Sequence, residues 1–156
     1  MVDIWLKSGY LKVKTKKENM NTDNQLFNTV YKKDLLNLKN KKSQIDFKSL
    51  VDLLEFEKSD VSKIANVAKS SVRYDQKIPK EVKDHLEQIY NICQLVAEHF
   101  DGDRHKTALW FKTMNPLLGG VTPRDMIRFG RYKKLMNFII SNRTKASKSD
   151  QEAEAA

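Results

Sequence analysis

The sequence predicts an all-α protein, on three observations. Only five Gly and three Pro occur in 156 residues, too few for the turn-rich connections of a β protein. Apolar residues recur at steps of three and four through most of the chain. Capping and stop residues punctuate those runs where helices should begin and end. The signals divide the chain into a basic N-terminal extension, 1–45, and a helix-turn-helix unit, 46–78. A linking helix, 79–103, a small helical C-terminal domain, 104–142, and a tail, 143–156, complete it.

Residues 1–25 hold too little apolar surface to offset the entropy of ordering, so partial disorder is expected there, and Met20 is a candidate internal start. Leu26, Phe27, Val30, Tyr31, Leu35 and Leu38 recur at helical spacing, which predicts either a short amphipathic helix or a disordered arm before a Lys-rich linker, Lys39–Lys42. Phe47, Leu50, Val51 and Leu54 mark one face of a first firm helix. Ser59 reads as the N-cap of a second, through Val61, Ile64 and Ala65, and a third runs from Ala68 to about Arg73.

Pro79 suits the first turn of a longer helix. In it Val82, Leu86, Ile89, Cys93, Val96 and Phe100 alternate steps of four and three, a seam facing either the core or a second copy. Asp101-Gly102 ends it with a residue that tolerates left-handed backbone. Ala108, Trp110, Phe111 and Met114 belong to a further helix, stopped by Asn115-Pro116. Thr122, Pro123 and Asp125 read as a capped start for Met126, Ile127 and Phe129, Gly130 breaks the pattern, and Leu135, Met136, Phe138, Ile139 and Ile140 close the core. Beyond Asn142 the residues are polar and small, and a disordered tail is expected.

The formal net charge of +9 points to an anionic partner, but its distribution matters more. Residues 1–45 hold ten Lys against four acids, residues 46–145 eighteen basic against thirteen acidic groups, and the tail is net acidic. The folded middle is therefore only mildly basic, and nucleic-acid binding must come from arrangement. The start of the chain is too charged for a signal or membrane-spanning segment, and the single Cys93 cannot form an internal disulfide. A reducing cytoplasm is the expected compartment.

The stretch Ser59–Arg73 has the layout of a helix-turn-helix, with the small Ala65 where two helices approach and Val72 turned inward. Lys69, Ser70, Ser71 and Arg73 would project from the second helix, with Ser59 and Lys63 beside them. Hydroxyls and a helix N-terminus suit phosphate, and Arg suits a guanine edge. The competing reading is an ordinary helix pair with a solvated basic face. His85, His99, His105 and Cys93 are too scattered for a metal set, and Leu118-Gly119-Gly120-Val121 lacks the lysine of a phosphate cradle. A protein without catalysis, cofactor or metal is expected.

Ala108-Leu-Trp-Phe, then Asn115-Pro-Leu-Leu-Gly-Gly-Val-Thr-Pro123, then Gly130 before a terminal apolar helix, resembles the toxin-binding domain of the Xre/MbcA/ParS-like antitoxins. An Xre-type unit at 46–75 and a linking helix at 79–100 fall in the same order, so the resemblance spans about 46–141. Gly130-Arg-Tyr-Lys-Lys134 departs from the glycine-rich stretch and valine of many relatives, which bears on the identity of the partner. The resemblance implies an antitoxin that neutralises a cognate toxin, often a RES-domain toxin that consumes NAD, and represses its own operon as a homodimer. It places the motif on Trp110, Asn115, Pro116, Leu118, Gly119, Gly120, Thr122 and Pro123. These residues also read as architectural, with Arg124, Arg128, Arg131, Lys133 and Lys134 beside them as a basic face, either solvated or meeting the toxin. The alternatives to an antitoxin are a stand-alone transcriptional regulator, or an interaction module that has lost DNA binding.

Overall fold

The long apolar seam becomes the axis of the molecule. A computed structural model describes residues 33–154, and their side chains as far as Ala146. The described residues are all-α. Their helices are α1 (Phe47–Leu53), α2 (Lys58–Ala65), α3 (Lys80–His99), α4 (Arg104–Lys112), α5 (Pro123–Arg128) and α6 (Tyr132–Glu154), with 3₁₀ turns at Lys69–Ser71 and Pro116–Leu118. Among the described residues, strand-type pairing is limited to isolated bridges, Lys39 with Ile45 and Asn115 with Val121. No helix among the described residues is long and apolar enough to cross a membrane.

α3 is buried on every side from Ile89 to Ala97, where each residue lies inside. A helix apolar on one stripe can rest on a surface, but one buried all round must be enclosed. α2, α4 and α6 pack against it, and one continuous core runs from Leu36 to Ile139. Val82, Leu86, Ile89, Cys93 and Val96 are each no more than 1% exposed, so the seam is core and offers nothing to a second copy. Phe100 is only half-buried, because it is the residue that caps α3. Burial pushes the Cys93 thiol well above its ordinary range, which makes it inert packing.

Two polar residues, Asn91 and Gln94, interrupt that apolar helix. Gln94 is fully buried; its Oε1 accepts the Leu35 N–H at 2.8 Å and its Nε2 donates to Asp34 at 3.3 Å. Asp34 accepts in turn from the Leu38 and Lys39 N–H groups, both at 2.8 Å, and the Tyr90 hydroxyl donates to the Lys33 carbonyl. Arg104 reaches the Leu36 carbonyl at 2.9 Å. Residues 33–38 thus form a strap whose Leu36 and Leu38 are buried, a turn where helical spacing suggests a helix. Asn37, with φ of 53°, is incompatible with one. Residues 26–32 of that expected helix lie outside the described residues. Gly102, at φ +80°, sits with its Cα against the strap, where a Cβ would come within 3.4 Å of the Leu35 carbonyl oxygen.

Several boundaries differ from expectation for local reasons. α2 starts at Lys58 with Glu57 as its cap, two residues before Ser59, because Asp60 is placed to accept the Glu57 N–H at 2.9 Å. Pro79 precedes α3 as its N-cap instead of entering its first turn. α4 ends at Lys112, short of Met114, and Phe129 caps α5. α6 continues to Glu154 where a disordered tail was expected. No Gly or Pro comes after Gly130 to stop it, and Arg143 pairs with Glu98 of α3 at 3.2 Å.

Replacing Asp34 by Ala leaves the Leu38 and Lys39 amides without their acceptor. We expect a loss of about 1–3 kcal/mol in chemical denaturation and faster amide exchange at both positions; unchanged exchange would show that the strap is held otherwise. The His85 imidazole meets the Tyr132 hydroxyl across α3 and α6, and desolvation holds its pKa below the ordinary value. The unfolded chain therefore binds the proton more readily, and stability falls as pH drops through about 6.5. Denaturation midpoints at pH 7.5 and 5.5 should differ more for the wild type than for His85→Gln.

Candidate DNA-binding and partner-binding surfaces

The helix-turn-helix stretch keeps its first helix and most of its turn. Asn66 adopts the left-handed conformation (φ 54°, ψ 47°), the Val67 N–H reaches back to the Ser62 carbonyl at 3.1 Å, and the Ser62 hydroxyl donates to the Val67 carbonyl at 2.6 Å. The next element is a single 3₁₀ turn, Lys69–Ser71, where a third helix from Ala68 to Arg73 was expected. Ser70, Ser71 and β-branched Val72 are poor helix formers, and Val72 is pinned in extended geometry by its own burial. Asp75 then closes another turn by accepting the Lys77 N–H at 2.9 Å. Three residues of 3₁₀ rise only about 6 Å, less than a recognition helix lays along a groove.

The side chains singled out for DNA are nevertheless on the outside. Lys63, Lys69, Ser70, Ser71 and Arg73 are all exposed, while Ser59 is half-buried in the first turn of α2 with its hydroxyl directed to Glu57. Arg73 is not idle: its guanidinium grips both oxygens of Asp75, and that contact holds the Asp75 carboxyl below its ordinary range. Reading a base edge would require Arg73 to leave Asp75.

In the C-terminal domain the motif residues build a corner. Trp110 is buried and meets Phe111 edge-to-face, with ring centroids 5.1 Å apart. Asn115 accepts the Leu117 N–H at 3.0 Å with its side chain, while its backbone pairs with Val121 to close the loop. Gly119 and Gly120 both have φ of +77°, which side-chain-bearing residues resist even though open space surrounds each. Leu118 is half-buried against the core, Thr122 caps α5 by accepting the Asp125 N–H at 3.0 Å, and Pro123 is its first residue.

The basic residues from Arg124 onward are not the uniform face expected from sequence. Arg124 donates to the Leu54 carbonyl at 2.6 Å and the Glu55 carbonyl at 2.7 Å, and lies over the Phe56 ring. It thereby pairs the carbonyls of the α1 C-cap, Leu54, and of the residue that follows it. Arg128 joins Asp60 of α2 at 3.1 Å and Asp125 at 3.2 Å. Both are engaged within the chain, fastening α5 to the first two helices, so neither is a free partner contact. Arg131, Lys133 and Lys134 remain exposed. Sequence reasoning misses a different class of residue altogether. Among the described residues the large exposed apolar side chains are Leu109 (37% exposed), Met114 (65%), Leu117 (51%) and Phe129 (64%), all within or beside the motif. Helical spacing puts Met114 and Phe129 on apolar helix faces; the helix ends at Lys112 and Arg128 place them in water-facing corners instead.

No group of three or more His, Cys, Asp or Glu side chains able to hold a metal occurs among the described residues. Comparisons with protein-family models, curated proteins and solved structures give no match to this chain.

Removing the Arg124 side chain leaves two carbonyls at the end of α1 unsatisfied. Arg124→Ala should cost about 1–2 kcal/mol of unfolding free energy, and Arg124→Lys should not restore it, because one ammonium cannot reproduce the planar two-carbonyl contact. Full recovery in the Lys variant would reduce the interaction to simple charge.

Proposed function

We propose that this chain is the antitoxin of a type II toxin–antitoxin pair, neutralising a cognate toxin by direct complex formation through residues 104–142 and binding operator DNA through residues 58–78. The observation that carries the toxin half is the position of Leu109, Met114, Leu117 and Phe129. Every large exposed apolar side chain among the described residues lies between 109 and 129, in the segment that resembles an antitoxin's toxin-binding domain. Large apolar side chains left in water are candidate anchors for a partner, and apolar anchors dominate the energetics of protein interfaces. The buried motif residues then serve as scaffold and their exposed neighbours as contacts. The resemblance makes a RES-domain, NAD-consuming enzyme the proposed toxin.

The DNA half rests on exposed Lys63, Lys69, Ser70 and Ser71 around one turn. The three-residue length of that turn favours a second reading, in which the unit has lost base recognition and the chain is chiefly a protein-interaction module.

Co-expression with the product of the adjacent gene tests the toxin half. The wild-type chain should restore growth, and a Met114→Asp, Leu117→Asp variant that still melts like the wild type should fail to. Rescue by that variant would move the interface elsewhere, and a harmless neighbour would remove the antitoxin reading. For the DNA half, binding to the chain's own upstream duplex should weaken about tenfold in Lys69→Ala, Arg73→Ala; equal affinity for a scrambled duplex would favour the interaction module.

A further inference from the structure

Residues 39–45, whose composition suggests no more than a Lys-rich linker, form a closed and internally braced turn. Lys39 bridges Ile45, the Asn40 N–H donates to the Gln44 carbonyl at 2.8 Å, and the Ser43 N–H returns to the Asn40 carbonyl at 2.9 Å. Asn40 Oδ1 accepts two further N–H groups, from Lys42 at 2.9 Å and Gln44 at 3.0 Å. The turn carries three lysines and no acid, and no carboxylate among the described residues pairs with Lys41 or Lys42.

This turn forms one wall of an open groove of about 1030 Å³, whose other walls are residues 74–78 and the start of α3. Lys39, Lys41, Lys42 and Lys83 line it, against Asp75 and Glu87. Both acids already face cations, Asp75 through Arg73 and Glu87 through Lys83 at 3.8 Å, so the groove keeps a positive surplus. Along the chain the 74–78 wall begins directly after Lys69–Arg73, and Lys77 extends the basic line.

We infer that this groove binds the phosphodiester backbone of a nucleic acid, with Lys41 and Lys42 as phosphate contacts held in place by the Asn40 turn. The inference deepens the DNA half of the proposed function and rests on it, and it is independent of the toxin. A single small phosphate would need donors converging on one point, whereas these lysines are spread along an open trough. An acidic protein segment would need apolar anchors as well as charge. Here Phe47 is buried, Tyr74, Ile45 and Ile78 are half-buried, and the exposed large apolar side chains among the described residues lie instead at 109–129. A backbone polyanion needs only positioned cations, and a pre-braced turn offers them with little ordering cost. The short recognition turn at Lys69–Ser71 is then supplemented by contacts that position the duplex without reading it.

The test uses the full-length chain and fluorescence polarisation with three probes: its own upstream duplex, one strand of that duplex, and a poly-glutamate peptide of equal charge. Lys41→Ala, Lys42→Ala should weaken duplex binding about tenfold or more and lower the log K against log salt slope by about 2. A Lys106→Ala, Lys134→Ala control, which removes the same charge outside the groove, should leave the slope unchanged. If the single strand shows the loss and the duplex does not, the backbone held is single-stranded. The inference is overturned if the groove variant binds every nucleic acid as tightly as the wild type, if the control loses as much, or if poly-glutamate competes as well as DNA. Wild-type-like binding of both duplex and single strand by the groove variant, with loss in Lys69→Ala, Arg73→Ala, would sink the groove and leave the operator reading standing. No binding by the wild type would end both.

Discussion

Enclosure of α3 is the constraint on which the rest of the fold depends. A helix of 20 residues is about 30 Å long, and from Ile89 to Ala97 this one exposes no face to water. One neighbouring helix cannot cover such a surface. α2, α4, α6 and the 33–38 strap have to close round it, and short connections then determine which elements meet. Asn91 and Gln94 are buried inside that sheath, where an unpaired amide would cost more than its hydrogen bond contributes. Gln94 turns that requirement into a selection, because its amide is satisfied only when the strap lies across it.

Once α3 is enclosed, the other polar contacts read as fasteners between its neighbours. Arg124 ties α5 to the end of α1, Arg128 ties α5 to the cap of α2, and Arg143 ties α6 to α3. The first two bring the helix-turn-helix stretch and the C-terminal domain into a single packed body. The surfaces of that body differ in chemistry: residues 109–129 offer apolar side chains to water, while the 39–45 turn and the 69–78 segment offer lysines.

Much of the architecture was legible in the chain. The four-three seam of α3, the Thr122 cap, the Gly102 stop and the apolar run of α6 are local patterns, and local patterns survive folding. The strap was not legible, since Leu35 and Leu38 fit a helical stripe as well as a turn. Only Asp34, Tyr90 and Gln94, separated by about sixty positions, decide between them. The tail misled for the opposite reason: its polar composition suggested disorder, although it contains nothing that breaks a helix.

The sequence by itself determined an all-α protein, the apolar seam of its long helix and the positions of most helix ends, because caps, breakers and periodicity act within a few residues. Tertiary structure alone decided what the arginines do and which apolar residues face water. Arg124 and Arg128 look free in one dimension, and become fasteners only because α5 is pressed against the ends of α1 and α2. Met114 and Phe129 look like core on a helical wheel, and become exposed because the helices stop one or two residues before them. The helix expected from Ala68 to Arg73 was lost to the same logic. Burial of Val72 outweighs the weak helical preference of the serines beside it, and leaves one turn where the pattern allowed two.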